Sequence, residues 1–214
     1  MHPDLIETVQ HLKTTKLQIL IQIILVFIAP VLLLQYRIIP ISFRTLVLVG
    51  VVSLLVYILY KEQWTPKMLG YISRASKREA LAYTIFTIVG VIAIAQFGEL
   101  IGNEEVTRWW THPHFLYLFI IVSVFQEVAY RGFLIPALGK LSRSPFFIVI
   151  LNASLFAFLH IIFPNLSIGL PLAFIGGIGF ALMYMRYPNL PMIMVSHAVL
   201  NFCAVLYGFF TIAT

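Results

Sequence analysis

Charged residues are scarce in this sequence, and their scarcity decides the class of protein. They make up 10% of the 214 residues, whereas soluble domains average about 25%. Hydrophobic residues account for 61% of the chain, and the mean hydropathy is +0.97. These values exclude an ordinary water-soluble domain and predict a polytopic membrane protein. A helix that crosses a bilayer needs about 20 residues, so the chain has room for roughly six to eight spans with short loops.

Cysteine and acidic side chains are also in short supply. Cys203 is the only cysteine, which excludes an internal disulfide. Because no basic residue is adjacent to it in sequence, we interpret it as a packed core residue rather than a nucleophile. The 8 acidic residues against 14 Lys and Arg give a net charge of +6. In a membrane protein such an excess more often reflects topology, so no nucleic-acid partner is expected.

Internal repeats, low-complexity segments and the pattern of a cleaved signal peptide are missing as well. We therefore expect one membrane domain over residues 1–214, with nothing removed from its N-terminus. Hydrophobic stretches are predicted to span the membrane at 16–35, 45–60, 79–97, 115–137, 146–163, 168–187 and 190–212. They predict an all-α integral membrane protein, a bundle of about seven transmembrane helices with a buried polar site.

Individual residues refine this outline. Pro30 predicts a kink in the first span. A group of glycines predicts close helix approach in the sixth span, namely Gly176, Gly177 and Gly179. The tryptophans are predicted to anchor loops at the membrane surface, namely Trp64, Trp109 and Trp110.

The distribution of Lys and Arg predicts the orientation. With the N-terminus inside and seven spans, the inner segments hold ten of these residues and the outer segments hold three, namely Arg37, Arg44 and Arg108. Cytoplasmic loops carry the excess of Lys and Arg in membrane proteins. The sequence therefore predicts a cytoplasmic N-terminus and a C-terminus outside.

A carboxylate and a guanidinium interrupt the fourth hydrophobic stretch. Glu127 and Arg131 are four residues apart, so they share a helix face, with the acid N-terminal to the base in the favourable order. A charged side chain near the bilayer centre costs at least ~2.5–3.5 kcal/mol on insertion scales. The pair is therefore either an ion pair that fixes helix packing or part of a functional site.

Two later stretches also carry polar residues. His160 lies near the end of the fifth, and His197 and Asn201 share a helix face in the seventh. A lone buried histidine is more often a hydrogen-bonded core residue, whereas polar groups on three helices indicate a shared site. A carboxylate and two imidazoles supply a base, an acid and an oxyanion donor, which together activate water for attack on a carbonyl. On straight helices His160 lies nearer the outer face than Glu127 and His197, unless tilt brings them together.

These motifs together resemble the CAAX protease and bacteriocin-processing (CPBP, or Abi) family of intramembrane glutamic endopeptidases. That family has EExxxR on one helix, FxxxH on the next and HxxxN on a later one. Within a family-like core of about 115–212, this chain has the same order and spacing in Gln126-Glu127-xxx-Arg131, Phe156-xxx-His160 and His197-xxx-Asn201. The resemblance implies an all-helical membrane fold and hydrolysis of a peptide bond without a metal or other cofactor. It also implies that the first Glu and the FxxxH histidine activate water, while the HxxxN histidine and asparagine stabilise the oxyanion.

One position departs from the family's pattern, because Gln126 occupies the place of the first Glu. A neutral amide orients a water but cannot take its proton. In one interpretation Glu127 is the base, with His160 assisting, and Gln126 holds the water or a substrate carbonyl. In the other the site is catalytically impaired, and the protein is a binding partner for a peptide or another membrane protein. Gln126 and Glu127 lie ~100° apart on a helix, but the presence of Glu127 together with Arg131, both histidines and Asn201 favours the peptidase.

The expected partners are a peptide or membrane-protein substrate with a hydrophobic or lipidated terminus, and the membrane lipids. The expected location is the bacterial cytoplasmic membrane. Two other functions stay open. Two histidines and a carboxylate can hold zinc, although the sequence has no HExxH helix and the ligands would come from separate helices. A transporter can use Glu127 as a proton carrier, although the lack of repeats or paired broken helices counts against it.

Overall fold

The structure is a computed structural model that describes residues 2–72, 74–103, 113–163 and 166–209, with side chains from residue 120 onward in the third range. Turns and loops connect its helices. The α-helices in chain order are α1 (Pro3–His11), α2 (Lys16–Ile23), α3 (Ala29–Gln35), α4 (Arg44–Lys61), α5 (Lys77–Leu100), α6 (Pro113–Glu127), α7 (Ile135–Leu141), α8 (Pro145–Phe158), α9 (Leu166–Arg186) and α10 (Leu190–Leu206). Short π-helical segments join α2 to α3 and α6 to α7, and 3-10 turns precede α4 and follow α8.

Within the described residues, six helical stretches are long and apolar enough to cross a membrane: Lys16–Gln35, Ile41–Lys61, Lys77–Leu100, Ile120–Leu141, Pro145–Ile162 and Leu166–Arg186. The all-α membrane fold expected from the sequence is therefore confirmed. The predicted seventh span coincides with α10, which is apolar but only 17 residues long. The last residues of the predicted seventh span, 210–212, lie outside the described residues, as do Arg108, Trp109 and Trp110.

A glycine turn ends α10 earlier than its hydrophobicity predicts. Gly208 has φ of 70°, a conformation that glycine adopts without a Cβ penalty. The Phe209 N–H donates to the Ala204 carbonyl at 2.9 Å and the Gly208 N–H donates to the Val205 carbonyl at 2.9 Å. This pair of bonds is a Schellman motif, which satisfies the last helical carbonyls and stops the helix.

Side-chain caps define where α2 and α5 begin. The Gln18 N–H donates to Thr15 Oγ1, and the Thr15 N–H donates to Gln18 Oε1 at 2.8 Å. Ser76 and Glu79 repeat this arrangement at the start of α5, with the Ser76 N–H donating to Glu79 Oε2 at 2.7 Å. Both are capping boxes, which satisfy amide donors that have no partner within the helix.

The first span is interrupted at the place where proline predicts it. A π-helical segment, Ile24–Ile28, separates α2 from α3, and Pro30 is the second residue of α3. Proline has no N–H, and its ring clashes with the carbonyl four residues earlier, which here belongs to Val26. The regular α-helical ladder therefore cannot run through this point, and the π-helical segment carries the chain across it.

Small residues let α8 and α9 pack closely. A Cβ on Gly177 would lie 3.0 Å from the Cα of Ala153, which is closer than side chains tolerate. A Cβ on Gly179 would lie 3.0 Å from the ring of Phe86 on α5. Gly176 makes no comparable approach, because the nearest atom to its Cβ position, on Phe180, is 4.0 Å away. Close helix approach in the sixth span thus rests on two of the three glycines.

The N-terminal helix is attached to one end of the bundle. α1 packs against α7, Leu5 of α1 is buried in the hydrophobic core, and the His2 N–H donates to the Met185 carbonyl at 3.2 Å. Lys140 Nζ donates to the Leu12 carbonyl at 2.9 Å. These contacts link α1 to the ends of α7 and α9.

The Glu62 carboxylate accepts hydrogen bonds from three side chains at the same end of the bundle. Its carboxylate accepts hydrogen bonds from Thr14 Oγ1 at 2.9 Å, from Trp64 Nε1 at 3.1 Å and from Gln22 Nε2. The Trp64 ring lies 5.3 Å from the ring of Phe133. The residue predicted as a surface anchor is therefore half-buried and packs against the core.

Candidate active site

The motif helix changes its geometry at the residues that carry the charges. α6 ends at Glu127, and the π-helical segment Val128–Leu134 follows and contains Arg131. Segments of this kind occur frequently at functional sites in helices. Arg131 Nη1 donates to Glu127 Oε1 at 2.9 Å, and both side chains are fully buried. The pair expected from the four-residue spacing is thus formed inside the bundle.

His197 joins this pair from α10. Its Nδ1 lies 2.5 Å from Glu127 Oε1, the same oxygen that accepts from Arg131. Carboxylate oxygens only accept, so His197 carries its proton on Nδ1 and Glu127 fixes this tautomer. We call Glu127, Arg131 and His197 the charged cluster.

Aromatic rings and a backbone carbonyl complete the surroundings of Arg131. Its guanidinium carbon lies 4.6 Å from the centre of the Phe156 ring and 5.0 Å from that of Phe180. Arg131 Nη2 also donates to the Gly177 carbonyl at 3.5 Å. A desolvated guanidinium is stabilised by such ring faces and by its carboxylate partner.

A cavity of about 240 Å³ lies beside the charged cluster, and we call it the Gln126 cavity. Its polar lining residues are Arg44, Thr45, Gln126, Tyr130, His160 and Asn201. The apolar part of its lining comes from α3, α4 and the helix ends near them, and includes Val26, Phe27, Val31, Leu34, Leu48, Val51, Leu159 and Phe163. Glu127 and His197 are not among the lining residues.

Gln126 lines this cavity and carries an unsatisfied acceptor. Its Oε1 atom is buried and has no hydrogen-bond partner among the described residues. A buried polar atom without a partner costs free energy unless water or a ligand satisfies it. The amide oxygen of Gln126 is therefore suited to accept from a water or from a ligand N–H.

His160 has its tautomer fixed by the backbone. It lies in the 3-10 turn Leu159–Ile162 that follows α8, and its Nδ1 is 2.9 Å from the Phe156 carbonyl. Because a carbonyl only accepts, Nδ1 carries the proton and Nε2 carries the lone pair. His160, Gln126 and Asn201 line one cavity, so the difference in depth expected on straight helices does not keep them apart.

Asn201 is oriented by a residue that the sequence did not single out. Its Nδ2 donates to Ser123 Oγ at 3.2 Å, and Ser123 is fully buried. Ser123 precedes Glu127 by four residues and so shares its helix face, which is the signal that could have identified it. The second N–H of the Asn201 amide is left for another acceptor.

Asn152 and Phe156 connect α8 to the same region. Asn152 Nδ2 donates to the Tyr130 carbonyl at 2.6 Å, inside the π-helical segment. The Phe156 ring lies 5.1 Å from the ring of His160 and 5.5 Å from that of His197. This ring therefore stands between the charged cluster and the histidine that lines the Gln126 cavity.

The predicted site residues thus fall into two adjacent groups. Glu127, Arg131 and His197 contact one another, whereas Gln126, His160 and Asn201 share the cavity. Within the described ranges, no three His, Cys, Asp or Glu side chains form a group that could hold a metal ion. A water or peptide in the cavity would meet these two amides and the imidazole, together with the other polar lining residues Arg44, Thr45 and Tyr130.

An all-helical membrane protein with this site is a candidate membrane hydrolase, and comparison with protein families gives the class. A family model described as "Type II CAAX prenyl endopeptidase Rce1-like" matches residues 108–203. Residues 108–203 therefore match an Rce1-like domain of the CPBP family, which confirms the resemblance seen in the motifs. The match begins at 108 rather than at about 115, and it ends at 203.

Neither the curated proteins nor the solved structures contain a match to this chain.

Proposed function

We propose that the protein is an intramembrane, metal-independent endopeptidase of the CPBP type, in which His160 takes the proton of a water held by Gln126. One observation carries this proposal, namely that Gln126, His160 and Asn201 line the same cavity. The His160 tautomer supports it, because the lone pair on Nε2 can accept a proton. The amide oxygen of Gln126 supports it further, because it has no hydrogen-bond partner among the described residues and is an acceptor for a water.

The reaction follows from these groups. The water oxygen bonds to the peptide carbonyl carbon while its proton moves to His160 Nε2, and the carbonyl electron pair moves to the oxygen. An N–H of Asn201 donates to this oxyanion, a stabilisation that is typical of acyl transfer. Collapse of the intermediate breaks the C–N bond, and the proton on His160 passes to the leaving amine.

Glu127 has a different role in this proposal from the one that the sequence favoured. Its carboxylate is fully buried and is engaged by Arg131 and His197, so we assign it to holding His197 in position. The Phe156 ring contacts the rings of both His197 and His160, and so lies between them. The oxyanion role that the family resemblance implies for His197 requires that this ring shifts when substrate binds.

The substrate class follows from the lining of the cavity. Most of its residues are apolar side chains from α3, α4 and the adjacent helix ends, and such a lining suits a hydrophobic or lipidated peptide. We propose that the protein lies in a cytoplasmic membrane with its N-terminus inside and its C-terminus outside, as the distribution of Lys and Arg predicts.

A second candidate function is peptide binding without turnover. It is favoured by one observation, the lack of a carboxylate among the residues that line the Gln126 cavity. The family's first Glu would supply that carboxylate, and Gln126 cannot take a proton in its place. In this alternative the protein holds a membrane peptide or protein partner in the cavity.

Cleavage of hydrophobic peptides by the protein reconstituted in nanodiscs tests the proposal. His160→Ala should lower kcat/KM by about 10²–10⁴-fold, the range for loss of a general acid–base group. His11→Ala is the matched control, because His11 is an exposed histidine on α1, and it should keep full activity. Activity of His160→Ala within threefold of the wild type would refute the proposal. Binding by an inactive wild type would establish the second candidate.

A further inference from the structure

Two adjacent faces of α6 meet different surroundings. Val122 and Gln126 line the Gln126 cavity, whereas Ser123 and Glu127 are fully buried and bond to side chains of α10. The members of each pair are four residues apart and so share a helix face, and the two faces lie ~100° from each other. A rotation of α6 through this angle would therefore bring the neighbouring face to the cavity.

The π-helical segment Val128–Leu134 sets the rotation of α6 relative to α7. A π turn closes its hydrogen bonds over one residue more than an α turn, so the segment takes up about one residue, or ~100° of α-helical rotation. α7 is the fixed end, because it packs against α1, α2 and α8. If the segment were α-helical, Glu127 would point in the direction that Gln126 has now, and Ser123 would replace Val122.

Pro136 is the local reason why the segment departs from α geometry. It is the second residue of α7, and its ring clashes with the carbonyl four residues earlier, that of Gly132. Pro30 has the same place after the first π-helical segment. A kink also relieves such a clash, so proline alone does not fix how many residues the segment takes up. A contact from a neighbouring helix can select the π winding.

Asn152 of α8 makes such a contact inside the segment. Its Nδ2 donates to the Tyr130 carbonyl at 2.6 Å, and its side chain is fully buried. Tyr130 in turn donates from its hydroxyl to the Leu155 carbonyl at 3.2 Å, so two hydrogen bonds join the segment to α8. A buried carbonyl needs a donor. An α-helix would offer the Tyr130 carbonyl the N–H of Leu134, whereas Asn152 supplies a donor from outside the helix.

We infer that Asn152 is a positioning residue, whose hydrogen bond to the Tyr130 carbonyl maintains the π winding that turns Gln126, and not Glu127, toward the cavity. This inference rests on the proposed function, since it names the residue that orients the amide proposed to hold the water. Asn152 is not among the residues that line the cavity, so it acts through the backbone of the motif helix. Without its hydrogen bond, the segment should shift toward α geometry and α6 should rotate.

Thiol labelling tests this inference without requiring turnover. Val122→Cys and Ser123→Cys, each in a Cys203→Ser background, report the two faces of α6 in detergent micelles, and intact-protein mass spectrometry follows their reaction with N-ethylmaleimide. Because thiol reactivity follows exposure, the Val122→Cys protein should react roughly tenfold faster than the Ser123→Cys protein. Addition of Asn152→Leu should reverse this order.

Asn103→Leu is the matched control. Asn103 Nδ2 also donates to a backbone carbonyl, that of Tyr207 at 3.0 Å, but this bond lies at the end of α5 and not at the π-helical segment. Asn103→Leu therefore removes the same kind of hydrogen bond, and the labelling order should be kept. Asn152→Ala is labelled in parallel with the same expectation as Asn152→Leu, so that the test does not depend on one variant folding.

Kinetics connects the rotation to the proposed reaction. Where Asn152 is present, Gln126→Glu should raise kcat about tenfold or more, because the carboxylate faces the cavity. In the Asn152→Leu background the same substitution should change kcat by less than about twofold, since position 126 has turned away. A loss of stability alone would lower both activities and leave their ratio unchanged.

Each outcome decides the inference. Equal labelling of the two reporters with Asn152 present overturns it, and so does an order that persists in both Asn152 variants or reverses in Asn103→Leu. A full gain from Gln126→Glu in the Asn152→Leu background also overturns it. Reversed labelling in a protein that cleaves no peptide would keep this inference and refute the peptidase. Cleavage that depends on His160, with labelling that ignores Asn152, would do the reverse.

Discussion

Gln126 and Glu127 are neighbours in sequence whose side chains meet different surroundings. Gln126 lines the cavity with His160, whereas the Glu127 carboxylate is fully buried and accepts from Arg131 and His197. The single carboxylate of the motif therefore stabilises the charged cluster. In the proposed mechanism, the residue that faces the reactants is Gln126, which departs from the family's pattern. The predictions below separate the two roles.

Removal of the Glu127 carboxylate should destabilise the fold. In Glu127→Ala the guanidinium of Arg131 stays buried without its partner, and breaking a buried pair in this way costs about 3–5 kcal/mol. The free energy of unfolding in mild detergent measures this loss. Glu127→Ala combined with Arg131→Met should recover part of it, because no buried charge is then left. Strictly additive losses in the double variant would contradict this account of the cluster.

Replacement of Gln126 by Glu should raise turnover. A carboxylate at this position would face the cavity beside His160 and could take the proton that an amide cannot take. We expect at least a tenfold increase in kcat, measured on the peptide that the wild type cleaves or, for a silent wild type, the appearance of cleavage. Gln18→Glu serves as the control, because a Glu there keeps the capping box. Unchanged kcat in Gln126→Glu would show that position 126 does not contact the reacting water.

Ser123 should act as a positioning residue for Asn201. In Ser123→Ala the Asn201 amide loses its acceptor. Its other N–H is then no longer held in the direction of the proposed oxyanion. Loss of an oxyanion donor costs about 10²–10³ in kcat, so misalignment should cost roughly tenfold, with KM nearly unchanged. Ser154→Ala, at an exposed position of α8, should leave both constants unchanged. A rise in KM with unaltered kcat would assign Ser123 to substrate binding instead.

The cavity should be accessible from the non-cytoplasmic side. Thr45 lines it at the start of α4, and Lys61 is the last residue of the same helix. In a Cys203→Ser background, a membrane-impermeant maleimide should label Thr45→Cys on intact cells and Lys61→Cys only after the membrane is opened. The reverse pattern would invert the orientation that the charge distribution predicts.

The sequence predicted the elements that depend on composition and spacing. Hydropathy located the helices, and the four-residue spacing of Glu127 and Arg131 predicted a pair that the structure forms at 2.9 Å. These features are local, because helix geometry alone fixes which side chains share a face. The family assignment followed from motif order and is confirmed over residues 108–203.

Other features depend on contacts between distant residues. Because Gln126 and Glu127 lie ~100° apart on a helix, their side chains point in different directions. The sequence does not show which of the two faces a cavity, since that depends on where α3, α4 and α10 pack. The bond from Asn201 to Ser123 joins two helices, and neither residue reveals its partner. The early end of α10 depends on the φ angle of Gly208, which hydropathy does not report.

Two π-helical segments meet beside the Gln126 cavity. Phe27 belongs to one and Tyr130 to the other, and their rings lie 4.9 Å apart. A π turn winds more residues into each turn than an α turn, so tightening either segment would rotate its aromatic ring about the helix axis. The width of the cavity beside these two rings therefore depends on backbone winding as well as on side-chain size. Deleting one residue from Ile24–Ile28 should consequently reshape the cavity.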